Sequence, residues 1–270
     1  MNDAVAESMP EVSAYLDEWL AQVPEMELAL VFAGAGRRRS LLWGAVLNQW
    51  LISIFEPSDT GVAQAKLSWW AQAMTEAPAK AQHPLIAAFA HDGGNAVDVG
   101  MWQGLHQAAA QLAAQEASPA DVSALMDSRQ GLARAIATIE QALWPQAGAG
   151  DATSIARSLI LWQWRWRAQG ELARVGLLPL QLLARHGVRS SEAYGEPASA
   201  PTAVRAVWQD LAGELLRLPT PHAGPRLRRI GTRLDTLALK RLQRGDAKPF
   251  PTSGLAVLWQ CWQGGRGTPA

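Results

Sequence analysis

Apolar residues recur along the chain with a helical period, and β-branched alternation of any length is missing, so the pattern predicts helices and essentially no strands. Tyr15, Leu16, Trp19 and Leu20 mark one side of a short amphipathic helix over 11–22. Pro24 suits the first turn of a helix through 32, which Gly34 and Gly36 close. The stretch 37–55 reads as a long helix, apolar on most sides, ended by Pro57. Ser58-Asp59-Thr60 offers a cap for a helix over 62–74, His83-Pro84 starts one through 90, and another covers 98–115. Ser118-Pro119-Ala120-Asp121 starts a helix over 121–143, and Asp151 caps the next. Further helices are expected at 179–186, 204–218, 226–242 and 253–262, with loops at 145–150 and 189–201. Roughly a dozen helices with short connections make a single-domain all-α helical bundle the natural architecture. It is divided as an N-terminal extension with a short helix (1–24), the helical domain (25–263) and a frayed tail (264–270).

Charge alters this picture little. The 24 basic and 24 acidic residues cancel, so no global field recruits nucleic acid and partners must be recognised locally. The lone Cys261 excludes an internal disulfide and a Cys-rich metal site; between Trp259 and Trp262 it reads as a small buried hydrophobe. The first residues lack a basic segment followed by an apolar one, so no signal peptide is expected. The apolar run 41–55 is too short for a transmembrane helix and is broken by Asn48 and Gln49. These features favour a cytoplasmic protein, with peripheral contact to the inner membrane left open because Arg37-Arg38-Arg39 could touch anionic lipid; a solvated helix start is the favoured reading of that cluster. No two of the five histidines stand at i, i+4, and Asp210/Glu214, the one helical carboxylate pair at that spacing, reads as a solvated face.

The stretch 158–179 carries the most distinctive chemistry. Trp162, Trp164 and Trp166 alternate with Gln163, Arg165 and Arg167, and the chain then passes Gly170 and Gly176 into Leu178-Pro179. In a helix Trp162 and Trp166 share a face and Trp164 points almost oppositely. Aromatic residues at this spacing usually pack a core, which is the favoured reading; the two guanidinium groups shift it slightly towards a lined cavity, because an unpaired buried guanidinium is costly.

This stretch resembles the second active-site segment of the squalene/phytoene synthase family. Residues 38–48, RRSLLWGAVLN, look like that family's arginine-led helix, and Lys66-Leu67-Ser68-Trp69-Trp70 with His83-Pro84 looks like its Leu-x-x-Trp-Arg block and downstream His-Pro. The order and spacing agree over about 27–263. The resemblance implies the isoprenoid synthase fold. It also implies two aspartate-rich motifs that hold Mg²⁺ and prenyl diphosphates for head-to-head condensation.

The carboxylates that this chemistry requires are missing. Ile52 and Glu56 align with the first motif, Trp166 and Gly170 with the second, and Ala71 replaces the block's arginine. No catalytic residue and no metal ligand is therefore assigned. Candidate pocket or diphosphate-binding residues are Arg38, Arg39, Asn48, Gln49, Trp162, Arg165 and Arg167. The favoured expectation is a non-catalytic relative that binds an apolar lipid, an isoprenoid or a protein partner in an accessory role, with no cofactor. The alternatives are an active prenyl-diphosphate transferase with relocated ligands, for which Mg²⁺ would be needed, and a helical interaction scaffold.

Overall fold

The computed structural model describes residues 9–76, 83–115, 117–167, 176, 178–190, 192, 201–246, 248–250 and 254–266, with main chain only at 9–11, 35, 166 and 167. Among these residues there are twelve α-helices and no strand. In chain order they are α1 (Met9–Gln22), α2 (Glu25–Val31), α3 (Arg37–Phe55), α4 (Thr60–Thr75), α5 (Pro84–His91), α6 (Val99–Ala113), α7 (Val122–Leu143), α8 (Ala152–Arg167), α9 (Leu180–Arg185), α10 (Thr202–Arg217), α11 (Arg226–Gln243) and α12 (Leu255–Gly265).

The helix starts follow from local chemistry. Asp59, Asp98, Asp121 and Asp151 each accept a hydrogen bond from the backbone N–H three residues on, at 3.0, 2.8, 2.8 and 2.7 Å. Each satisfies a donor that the first turn would otherwise leave unpaired. Pro84 occupies the first turn of α5, where its missing N–H costs nothing.

Packing produces two layers of contact. α3 touches α1, α4, α5 and α6, and α4 packs on α6. α7 joins α6 to α8, and α8 in turn meets α11, which is flanked by α10 and α12. One large core runs through both groups; a small second cluster of Ala29, Ile230, Leu234, Val257 and Cys261 fastens α2 and α12 to α11. Burial, with nearby Glu25, pushes the Cys261 thiol up to about 11, so it stays a protonated packing group.

Two features depart from the sequence pattern. Residues 9–23, set apart as an extension, contribute Val12, Trp19 and Val23 to the main core and lie against α3 and α5. The last helix continues to Gly265 rather than stopping at 262, with the Arg266 guanidinium 3.6 Å from the centre of the Trp262 ring. The loop 189–201 is described only at 189, 190, 192 and 201, so its course lies outside the described residues. The main chain at Gly176 passes so close to Ser118 that a Cβ there would sit 2.8 Å from Ser118 Cα. Arg129, fully buried, donates to the Gly176 carbonyl at 3.2 Å and to Gln163 Oε1 at 2.7 Å, pinning the end of the central stretch to α7 and α8.

Gly44 lets α1 approach α3: a Cβ built there overlaps the indole of Trp19, which is itself buried. On propensity alone Gly44→Ala would stabilise α3 by up to about 1 kcal/mol. The expected outcome is the opposite sign, a loss of about 1–2 kcal/mol from overpacking, measured by urea unfolding.

Candidate functional site

A cavity of about 140 Å³ lies between α3, α7, α8 and α11, closed on one side by residues of α1 and α2. Regular spacing builds its walls. Ser40, Trp43, Gly44, Leu47, Asn48 and Leu51 recur at three- and four-residue steps along one face of α3. Ile155, Ser158, Leu159, Trp162 and Arg165 do the same on α8, while α11 contributes Leu227, Arg228, Gly231 and Asp235. α3 and α8 face each other across this space and are linked by Trp162, whose Nε1–H donates to Asn48 Oδ1 at 3.3 Å.

The lining is mainly apolar but includes three carboxylates, each engaged by a donor. Glu25 receives a two-pronged bond from Arg165, at 2.5 Å from Nη2 and 2.9 Å from Nη1. Arg165 also donates to the Gln22 carbonyl and lies 3.9 Å from the centre of the Phe250 ring. Glu140 accepts from Arg228 Nη2 at 2.5 Å and from Trp43 Nε1 at 3.1 Å. Asp235 accepts from the Ser158 hydroxyl. Burial raises the Asp235 carboxyl above the usual carboxylate range, against the opposing pull of the Ser158 bond and of Arg157, Arg165 and Arg228. Arg157, 1% exposed, donates to the Thr232 carbonyl and to the hydroxyls of Thr220 and Thr236.

The sequence candidates divide accordingly. Asn48, Trp162 and Arg165 line the cavity. Gln49 turns away and donates to Glu18 Oε2 at 2.9 Å. Arg38 pairs with Asp92 at 3.4 Å and is half exposed. Arg39 donates to the main-chain carbonyls of Asp92 and Leu143, tying α3 to the ends of α5 and α7 rather than to any ligand space. Ile52 is in the core, and Glu56 forms an exposed ion pair with Lys66 at 2.8 Å. Trp166 and Arg167 fall in the last turn of α8 with side chains outside the description, and Gly170 lies outside the described residues.

Trp164 points away from the cavity, 3% exposed, with ring centres of Trp208 and Phe250 at 5.1 and 5.0 Å. Trp69, Trp70 and His83 are brought together, with His83 5.5 and 5.1 Å from the two indoles. None of the three borders the cavity. Asp210 and Glu214 both face Arg185, and Asp210 also meets His186; hydrogen bonds from His186 and Arg185 hold its carboxyl below the usual range.

The family resemblance implies Mg²⁺, and the donor set here does not fit it. Mg²⁺ requires oxygen ligands with free lone pairs converging in octahedral geometry. Around the cavity the lone pairs of Glu25 and Glu140 are taken by guanidinium groups, and among the described residues no three His, Cys, Asp or Glu side chains come together as a metal site.

Sequence reasoning missed Glu25, Glu140, Ser158, Arg228 and Asp235 as wall residues. The signal on α11 was weak: Arg228 and Asp235 stand seven residues apart and share a face with Gly231, but Ile230 and Leu234 point another way, into the cluster with Val257 and Cys261. Comparison with known proteins finds no matching family model, no similar curated protein and no matching solved structure. Among the described residues no helix is long and apolar enough to cross a membrane.

Two predictions come from this geometry. Glu25→Leu leaves Arg165, 12% exposed at the side chain, without its carboxylate and should cost about 3 kcal/mol. Adding Arg165→Met should recover a large part of that loss; a double-mutant cycle by chemical unfolding that shows simple additivity contradicts the pairing. Because Asp235 binds its proton more tightly when folded, it contributes stability at low pH that is lost as pH rises from the unfolded value of 3.8 through the higher folded value. Asp235→Asn should flatten the stability profile in that window, read as the wild-type minus variant difference in unfolding free energy against pH.

Proposed function

We propose that this chain is a non-catalytic helical protein of the squalene/phytoene-synthase-like type that holds one apolar end of a ligand, such as an isoprenoid or other lipid, between α3, α8 and α11. The observation that carries the reading is the cavity itself: mainly apolar walls, with every wall carboxylate already bonded.

Size supports the same reading. A cavity of about 150 Å³ suits a benzene-sized group, whereas pockets for whole drug-sized ligands span about 300–1,000 Å³. At about 140 Å³ the space takes a short apolar segment and not two prenyl diphosphates side by side. Charge supports it too. Condensation needs a diphosphate neutralised as it departs. Among the described residues, the two guanidinium groups that line the cavity are committed to Glu25 and Glu140.

A second reading, protein docking, is favoured by α12, where Leu255, Leu258 and Trp259 are 86%, 39% and 52% exposed. Apolar side chains grouped in this way on a surface mark contact sites.

The test of the first reading is direct. With farnesyl diphosphate and Mg²⁺, pyrophosphate release should equal the protein-free blank, while farnesol should change the tryptophan emission of Trp19, Trp43 and Trp162 whether or not Mg²⁺ is present. Squalene-type products, or binding of the diphosphate that tightens with Mg²⁺, would favour a working transferase.

A further inference from the structure

The amide of Asn48 carries a chemical demand that the protein does not meet. Asn48 lies on the cavity wall and is 1% exposed. The indole N–H of Trp162 can only donate, so the atom facing it must be the Asn48 oxygen, and the orientation of the amide is thereby set. Nδ2 is then left with two N–H groups, fully buried and without a partner. Such a donor costs free energy unless an acceptor reaches it.

The rest of the wall defines what that acceptor can be. Arg165 and Arg228 spend their forks on Glu25 and Glu140, so among the described residues no cavity guanidinium remains to balance a phosphate or a carboxylate. An anion brought to Asn48 would leave water without compensating charge. The neighbouring surface is hydrocarbon and indole: Leu47, Leu51, Leu159 and Trp162.

Building on the proposed apolar binding role, we propose that the cavity recognises a neutral, oxygen-bearing apolar molecule, a ketone, ester or alcohol, whose oxygen accepts from Asn48 Nδ2 while its hydrocarbon part packs between α3 and α8. Asn48 is the residue that sets specificity, and Trp162 positions it by holding its oxygen.

The experiment uses the full chain and two probes of equal size, acetophenone and cumene, followed by NMR through the indole N–H signals of Trp43 and Trp162. Cumene is the more hydrophobic, so a purely apolar cavity binds it more tightly. The expected result is that acetophenone binds at least as tightly as cumene and that benzoate does not bind. Asn48→Leu should shift the affinity ratio about tenfold towards cumene.

Tighter binding of cumene to the native chain, an unchanged ratio in the variant, or binding of benzoate each overturns the inference while leaving an apolar cavity in place. A water held at Asn48 gives the first of these outcomes. If neither neutral probe moves the indole signals, the cavity reading falls with it. Should Asn48→Leu fail to fold, the ranking of the probes on the native chain decides the matter.

Discussion

The pairing of two carboxylates with two guanidinium groups around the cavity is the constraint on which the arrangement of its walls depends. Glu25–Arg165 ties the start of α2 to the end of α8, and Glu140–Arg228 ties the last turn of α7 to the start of α11. Both carboxylates are nearly inaccessible, at 6% and 3%. Charges so placed are tolerable only with a close opposite charge and further hydrogen bonds, because the cost of removing an ion from water is several kcal/mol. The pairs therefore dictate register: sliding α8 or α11 by one turn would strand a charge.

The same pairing governs the chemistry. A cavity ringed by acids and arginines looks at first like a site for phosphate and metal. The distances say otherwise, since each fork is closed on a carboxylate at 2.5–3.2 Å and the remaining wall is mainly hydrocarbon and indole. What is left for a ligand among the described residues is shape, apolar contact and a few neutral polar groups, Ser40 and the unpartnered amide nitrogen of Asn48 among them. Asp235, its carboxyl raised by burial, accepts from Ser158 and adds a polar patch to the wall.

The helices were legible because their punctuation is local. Asp59, Asp98, Asp121 and Asp151 each do their work within three residues, and proline stops or starts the chain by its own covalent geometry. Of the candidate site, the part read from α3 and α8 was found where regular helical spacing puts it: Asn48, Trp162 and Arg165 share the cavity. Arg39 and Gln49 were not separable from these by pattern. Neighbours on a helix point in directions about 100° apart, and only the packed partners show which direction is inward.

What the amino-acid order determined alone is the all-α character, most of the helix starts and the absence of an acid pair at 52 and 56 or at 166 and 170. These are short-range properties, set by turns, caps and composition. The tertiary structure alone decided that α1 helps enclose the cavity, that Arg165 faces Glu25 across 140 positions, and that Arg228 and Glu140 neutralise one another across 88. Such contacts depend on how helices distant in sequence fill space together, and no local pattern encodes the partner of a buried charge.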